Sequence, residues 1–514
     1  MSRRTQIFWA SAAALLTFIK WIAMLNHPFA LEPHAWASAH MALLAHSFAQ
    51  LGIVHLHGVP IQNYLPLGLQ PDRYIHWPPL YPILLSVAFR MFGESQAVIH
   101  AFVIVVNICF LLTFYFLVRR CFDTDVATLS LFALLTIPVF IQYGLLVWTP
   151  NAALATTCAA LYCFLRGTET NLNWKWVSTG AVALICSVLI SWEAASLGPI
   201  LLGFGIWQRS RIRQIAAATY AAAGLGTFAM LPVVLMSSSP ELRNDFWSTV
   251  RYCMGGTYQL ANIPIPIHAW TDQVEFNVHF TVTRWFANML VDWGPLLGGS
   301  FGLVATMGLV FWSWNNRRNR PEVFLALGAL LGIVVVWVVF FPNQVALHDY
   351  QALFAAPLVC IGLGVTLKAG SEFLKGTFRL LVILIVPLIL IAPLARGTLA
   401  AFGKAQPDKL MDYATDIESS TPTSAVILSP LNTMVPVYYS HRHIIRGVEN
   451  DEVLRSVIRQ AGSVFPGSEI YIAIPTDNLG QLSCASSRFP VVKRTQNMIL
   501  LKVAGGGCTS KAVE

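Results

Sequence analysis

About 20 consecutive apolar residues cross a bilayer as one helix, and this sequence contains such runs one after another. Eleven spans are expected: 7–26, 96–118, 125–145, 151–167, 175–191, 194–208, 213–236, 293–314, 322–341, 349–367 and 378–396. Lipid offers backbone amides no partners, so each run must be helical. The runs are unbroken rather than alternating, which argues against a membrane β-barrel. The composition agrees, with 56% hydrophobic and 11% charged residues, where soluble domains carry about 25% charge. An ordinary soluble enzyme, a disordered chain and a collagen are excluded. The first run is long and no small-residue cleavage site follows it, so no cleavable signal peptide is expected.

Basic residues set the orientation. Arg3 and Arg4 precede the first run. Alternate connections then carry Arg119 and Arg120; Arg166 and Lys175; Arg209, Arg211 and Arg213; Arg317, Arg318 and Arg320; and Lys368, Lys375 and Arg379. The opposing turns near 146–150, 192–193 and 342–348 carry no Lys or Arg. Positive residues stay on the cytoplasmic side, so the N-terminus is inside and, after eleven spans, the C-terminus outside. The net charge of +8 therefore encodes topology, and nucleic acid is not an expected partner.

Three segments fall outside. The first loop, 27–95, holds two candidate surface helices, His34–Leu51 and Pro78–Phe92. The second loop is 237–292. The tail, 397–514, follows the transmembrane domain 1–396. In it, Ala425–Leu428, Glu469–Ile474 and Met498–Val503 read as strands and Asp451–Ala461 as a helix. The fold class is an α-helical polytopic membrane protein with a small C-terminal α/β extracytoplasmic domain. Cys109, Cys158, Cys163, Cys186 and Cys360 lie in spans or at their ends, and Cys121 abuts one; they read as small hydrophobes. Cys484 and Cys508 would be free to pair in an oxidising compartment, leaving Cys253 over.

The spans carry almost no ionisable groups. Lys20 is the clearest exception, near an outer helix end where it can snorkel. Chemistry therefore gathers at the outer boundary. The first loop holds Glu32, His34, Trp36, His40, His46, His55, His57, Asp72, Arg73 and His76. Asn151 starts the fourth span, Trp192-Glu193 caps the fifth, and His348-Asp349-Tyr350 opens the tenth. Each has a plainer reading as well: belt aromatics, a helix cap at Asp349, or solvated loop side chains. His55-x-His57 is too short-range and isolated to define a metal site, although the histidine group admits a divalent ion.

The sequence resembles the C-type glycosyltransferases of the protein O-mannosyltransferase and aminoarabinose-transferase kind. The resemblance rests on the topology and on Phe48-Ala-Gln-Leu-Gly52, His76-Trp-Pro-Pro-Leu-Tyr-Pro82 leading to Met91-Phe-Gly93, Asn151, His348-Asp349-Tyr350 with Pro357, and Tyr438-Tyr-Ser-His-Arg442. It implies transfer of a sugar from a polyprenyl-phosphate carrier to an extracytoplasmic acceptor, whether lipid, glycan or protein. Membrane lipid is a further expected partner, and the compact loops point to the inner membrane of a bacterium, with the active site on the periplasmic side. No cofactor is required, a divalent metal aside.

In one respect the sequence departs from that family. Where a bacterial subgroup reads Trp-Arg-Gln-x-Asp, this chain has Trp36-Ala-Ser-Ala-His40, so His40 occupies the acidic position. Asn151 stands at a second family Asp. Transfer needs a base for the acceptor hydroxyl and a stabiliser for the departing phosphate. His40, His34, Glu193 and Asp349 are the catalytic candidates. Glu32, Arg73, His76, Trp77, Tyr81, Asn151, Trp192, His348 and Tyr350 are candidate substrate contacts, with Arg243, Arg251 and Arg284 as further cations for phosphate. Two other functions compete: a catalytically altered scaffold that binds a lipid-linked glycan or a partner, and a flippase of lipid-linked sugars. The absence of an internal repeat weighs against the flippase, since many transporters are built from repeats.

Overall fold

The computed structural model describes residues 2–28, 34–64, 73–238, 243–254, 283, 285, 287, 289–401, 409–448, 450–465, 467–478, 482, 485 and 488–503. Helix α1 is Arg3–Met24. In the first loop, α2 is Ala35–Leu51 and α3 is Leu80–Phe92. The bundle continues with α4 (Gln96–Cys121), α5 (Thr124–Thr136), α6 (Pro138–Tyr143), α7 (Pro150–Gly167) and α8 (Trp174–Ile190). Then come α9 (Leu197–Trp207), α10 (Arg211–Ser238), α11 (Arg243–Cys253) and α12 (Gly299–Asn315). The last bundle helices are α13 (Pro321–Phe340), α14 (Pro342–Leu347), α15 (Asp349–Phe373) and α16 (Gly376–Ala401).

Helix falls on every expected apolar run. Among the described residues six helices are individually long and apolar enough to span: α1, α4, α10, α13, α15 and α16. Met289–Leu296 and α12 reach that length and apolarity only as a pair, bent by 84°, the geometry of a broken span or a re-entrant loop. The remaining runs are shorter or interrupted. Pro138 breaks the third run into α5 and α6, because proline lacks the amide that would continue the ladder. Trp192–Ser196 forms a 3-10 turn ahead of α9. Large apolar side chains such as Phe8, Val105, Leu112, Val182, Met230 and Ile389 are exposed on the flanks of these helices, as a lipid-facing surface requires.

Without a hydrophobic drive between helices in lipid, close approach depends on small residues. At Gly198 of α9, an added Cβ would lie 2.6 Å from Ala221 Cα of α10. Backbone cannot yield there as a flexible side chain can. Gly198→Val is expected to lower stability by about 1–3 kcal/mol, read as a fall in thermal midpoint of the detergent-purified protein; an unchanged midpoint would contradict this packing.

The basic connections meet at one end of the bundle. Arg120 pairs with Glu169 at 3.0 Å and Lys368 with Asp123 at 2.6 Å, joining connections far apart in sequence. The turns without Lys or Arg lie together at the other end, where Trp148, Trp192 and His348 converge. Lys20 does not snorkel: its Nζ donates to the Ile141 carbonyl at 2.5 Å, satisfying backbone near the α6 break.

The tail is an α/β domain, with helices α17 (Lys409–Ser420), α18 (Val435–Ser440) and α19 (Asp451–Val464). Its strands are β1 (Val426–Leu428), β2 (His443–Ile445), β3 (Ile470–Pro475), β4 (Val491–Arg494) and β5 (Met498–Lys502). The sheet order is β2-β1-β3-β5-β4. β2, β1 and β3 are parallel, whereas β5 runs antiparallel to β3 and β4 antiparallel to β5. Leu454, Val457, Ile458 and Ala461 of α19 pack on Val426, Ile472 and Leu501 of the sheet.

Helix α2 departs from the expected surface position. Nearly all of it is buried, including Ala37–Ala45, between α3 and α18. Asn63, downstream, joins tail to loop like a short strand: its Nδ2 donates to the Ile444 carbonyl at 2.9 Å and its Oδ1 accepts from the Ile444 amide at 3.2 Å. Small side chains (Ala37, Ser38, Ala39, Ala42, Ala45) let α2 be covered on all sides; the apolar spacing alone could not distinguish a protein cover from a lipid one.

Candidate active site

Helical spacing puts Trp36 and His40 on one face of α2. Both look into a cavity of about 280 Å³ at the end of the bundle opposite the basic connections. Its wall is mainly aromatic, from Trp36, Tyr74, Trp77, Trp148, Trp192 and Trp337 among others. Polar groups come from His40, Gln62, His76, Thr249, Gln344, His348 and Arg446. No Asp or Glu is found among the described lining residues. Phe228 and Val233 of α10 and Trp247 of α11 also line it, and all three are largely exposed on the apolar flank.

The turn carrying Trp148 is fixed from several directions. The Gly144 carbonyl accepts from Asn107 Nδ2 at 2.5 Å and from Asn151 Nδ2 at 3.2 Å. Ser38 Oγ of α2 accepts from the Val147 amide at 3.1 Å. Thr149 Oγ1 accepts from Trp77 Nε1 at 2.9 Å, and Pro150 starts α7, where its missing amide costs nothing. On the opposite wall, Trp192 Nε1 donates to the His76 carbonyl at 3.0 Å, and His76 Nε2 lies 3.1 Å from Thr249 Oγ1 of α11.

His40 is 4% exposed. Burial first, then the nearby Arg446 and His76 charges, lower its pKa to about 3 against the opposing bond to Gln62. The ring is therefore neutral near pH 7, and its Nε2 is buried without a hydrogen-bond partner. His348 is likewise lowered to about 3, by burial first and His34 second, against the pull of Asp349. The cavity thus presents neutral imidazoles at His40 and His348, together with the His76 ring and the Arg446 guanidinium.

A second polar layer lies behind His348. His34 Nε2 is 2.5 Å from Asp349 Oδ1, and Tyr143 Oη donates to Asp349 Oδ2 at 2.5 Å. Trp36 Nε1 donates to His34 Nδ1 at 3.3 Å. An indole nitrogen can only donate, so His34 Nδ1 accepts and its proton sits on Nε2, toward the carboxylate. His34 holds a left-handed backbone, φ 57°, a conformation that is costly outside glycine. Tyr350 packs its ring on His348 and edge-on to His34, with centroids 5.1 Å apart in each case.

The sequence candidates therefore separate. His40, His76, Trp77, Trp192 and His348 line the cavity; His34, Asp349 and Tyr350 brace it. Asn151 holds the turn at Gly144, and Tyr81 packs on Phe102 with centroids 5.4 Å apart; neither lines the cavity. Arg73 is absent from the lining, its backbone bridging to Ile61. Arg243 and Arg251 are exposed. His55 and His57 are exposed turn residues, and among the described residues no group of three metal-ligating side chains occurs. Glu32, Asp72, Arg284, Cys484 and Cys508 lie outside the described residues.

Glu193 is buried away from the cavity lining. Ser191 Oγ donates to its Oε2, and Oε1 is left unpartnered. Burial raises its pKa to about 7, against the lowering bonds from Ser191 and the backbone. The folded protein binds this proton more tightly than the unfolded chain, whose reference value is 4.5. The resulting stability is complete below that value and is lost as pH rises through about 7. Glu193→Gln is expected to flatten the decline in thermal midpoint between about pH 4.5 and 7; superimposable pH profiles would contradict a buried neutral carboxyl.

Sequence reading missed Gln62, Tyr74, Gln344 and Arg446. Arg446 follows a strand of only three residues, too short to register as a period of two. Its neighbour in sequence, Arg442, is structural instead and faces away into α17 contacts.

A family model described as dolichyl-phosphate-mannose-protein mannosyltransferase matches residues 76–236. No curated protein sequence matches the chain. Among solved structures, ArnT from Cupriavidus metallidurans, bound to undecaprenyl phosphate, superposes with a TM-score of 0.65 at 14% identity, covering 97% of this chain and 99% of that one. The apo oligosaccharyltransferase of Archaeoglobus fulgidus gives 0.58 at 14% identity, covering 92% of this chain and 70% of that one. The same organism's AglB, in complex with an inhibitory peptide and a dolichol-phosphate, gives 0.55 at 15% identity with the same coverage. At these identities the likeness establishes fold.

Proposed function

We propose that this chain, which has the fold of the C-type membrane glycosyltransferases, transfers a sugar from a polyprenyl-phosphate carrier to an acceptor hydroxyl. The reaction would take place on the periplasmic face of a bacterial inner membrane. The observation that carries the reading is the aromatic cavity shared by the first loop, the span ends and the tail, with a neutral His40 at its wall. Support also comes from the family match and from the lipid phosphates bound in ArnT and AglB.

The chemistry follows from the groups present. Aromatic faces stack on sugar rings and exclude water. His40, held by Gln62, has its Nε2 lone pair or proton available to an acceptor hydroxyl. A pKa of about 3 makes a feeble base, but a bound phosphate brings negative charge that offsets Arg446 and raises it. Trp36, braced by His34 and Asp349, fixes the wall one turn before His40.

The lack of a described carboxylate in the lining favours one rival, a scaffold that binds lipid-linked glycan without turning it over. Sugar transfer by the purified full chain from a panel of undecaprenyl- and dolichyl-phosphate sugars, with and without chelator, separates the two. Transfer that survives chelation supports the reading. Donor bound without transfer on any member of the panel would leave the scaffold.

A further inference from the structure

We infer that the tail domain supplies the cation that binds the carrier's phosphate, through Arg446. This rests on the reading that the cavity takes a phosphate-bearing lipid. In open parallel sheets, ligands bind beyond the carboxyl ends of the strands. β1 and β2 are parallel, and the segments leaving their carboxyl ends bring Met434 and Arg446 to the cavity wall. The tail is thus a wall of the site rather than a lid above it.

The position of Arg446 is built, not incidental. Ser429, after β1, donates its amide to the Ile445 carbonyl at 2.9 Å, and the Val448 amide returns to the Ser429 carbonyl at 3.0 Å. The Gly447 amide reaches the Leu431 carbonyl at 3.3 Å, with φ 69°, a left-handed turn that suits glycine. Asn63 clamps Ile444 to the first loop on the side facing the membrane domain. Arg446 itself is 7% exposed and lies near enough to His40 for its charge to be felt there.

Among the described lining residues Arg446 is the one Lys or Arg, and none is an Asp or Glu. The arginines that sequence reading offered for this role and that the structure describes, Arg73, Arg243 and Arg251, do not line the cavity. A guanidinium in an aromatic, water-poor wall recognises a phosphate oxygen through paired charge-assisted hydrogen bonds. The lipid chain would leave past Phe228, Val233 and Trp247, which join the cavity to the apolar flank.

The test is binding rather than turnover. Undecaprenyl phosphate, undecaprenol and inorganic phosphate are titrated into the full-length protein, with quenching of the cavity tryptophans as the readout. Arg446→Gln is expected to weaken undecaprenyl phosphate about tenfold or more and to leave undecaprenol unchanged. Arg446→Lys should recover part of the loss; if Arg446→Gln fails to assemble, the lysine variant decides by the same comparison of the two lipids. Equal losses for both lipids, or none for either, would overturn the inference. Inorganic phosphate bound as tightly as the lipid would overturn the carrier as its source. If no donor supports transfer yet the phosphate-selective loss is found, the proposed reaction fails while this inference stands.

Discussion

Replacing His40 by alanine or glutamine is expected to reduce sugar transfer by about 10²–10⁴-fold, the usual contribution of a positioned general base. The effect should fall on kcat, because the proposed role of His40 is that of a proton acceptor rather than a main contact for the lipid. Affinity for polyprenyl phosphate should change little, or rise slightly for glutamine as a neighbour of Arg446. His40→Asp puts a carboxylate where the resemblance places one, and it is expected to retain far more turnover than His40→Gln. Comparable rates for all three variants would remove His40 from the chemistry. Stopped-assay transfer at saturating donor, together with donor affinity, reads both parts.

The largest stability effect is expected at Arg442. Its guanidinium is almost fully buried and donates to the carbonyls of Glu418 at 2.8 Å, Thr421 at 2.7 Å, Ser440 at 3.2 Å and His441 at 3.3 Å, and to Thr421 Oγ1 at 3.2 Å. These bonds tie the end of α17 to the turn between α18 and β2. Arg442→Ala leaves several carbonyls unsatisfied, at a cost of about 3 kcal/mol or more. Because β2 begins one residue later, Arg446 should be displaced with it. Hydrogen exchange should show lost protection over β1 and β2 while α4, α5 and α7 stay protected. Arg442→Lys should rescue little, since an ammonium cannot reproduce the fork. Unchanged exchange in the tail would contradict this role.

The bundle, its polarity of charge and the tail were legible because each leaves a periodic signal. Apolar runs of span length mark helices, and the placement of Lys and Arg separates the two ends of the bundle, as the Arg120–Glu169 and Lys368–Asp123 pairs show. The tail strands Val426–Leu428, Ile470–Pro475 and Met498–Lys502 stood out as apolar β-branched runs. β2 and β4 did not: one is three residues long, and the other is exposed and basic. The site was legible in outline, since histidines and aromatics gathered on outer turns. Its inner order was not. Nothing in sequence separates Trp77, which lines the cavity, from Tyr81 four residues on, which packs on α4. Nor does it show that Glu193 is buried away from the cavity, or that His34 and Asp349, 315 residues apart, meet. Those depend on tertiary contact alone.

The most direct measurement of the central claim counts polyprenyl phosphate released per sugar transferred by the purified full-length protein in lipid nanodiscs. One carrier is expected to be released for each sugar that reaches the acceptor, with release dependent on acceptor and on His40. Donor that binds the cavity and returns unchanged, with acceptor present, would contradict a transferase and identify a lipid-glycan binding protein.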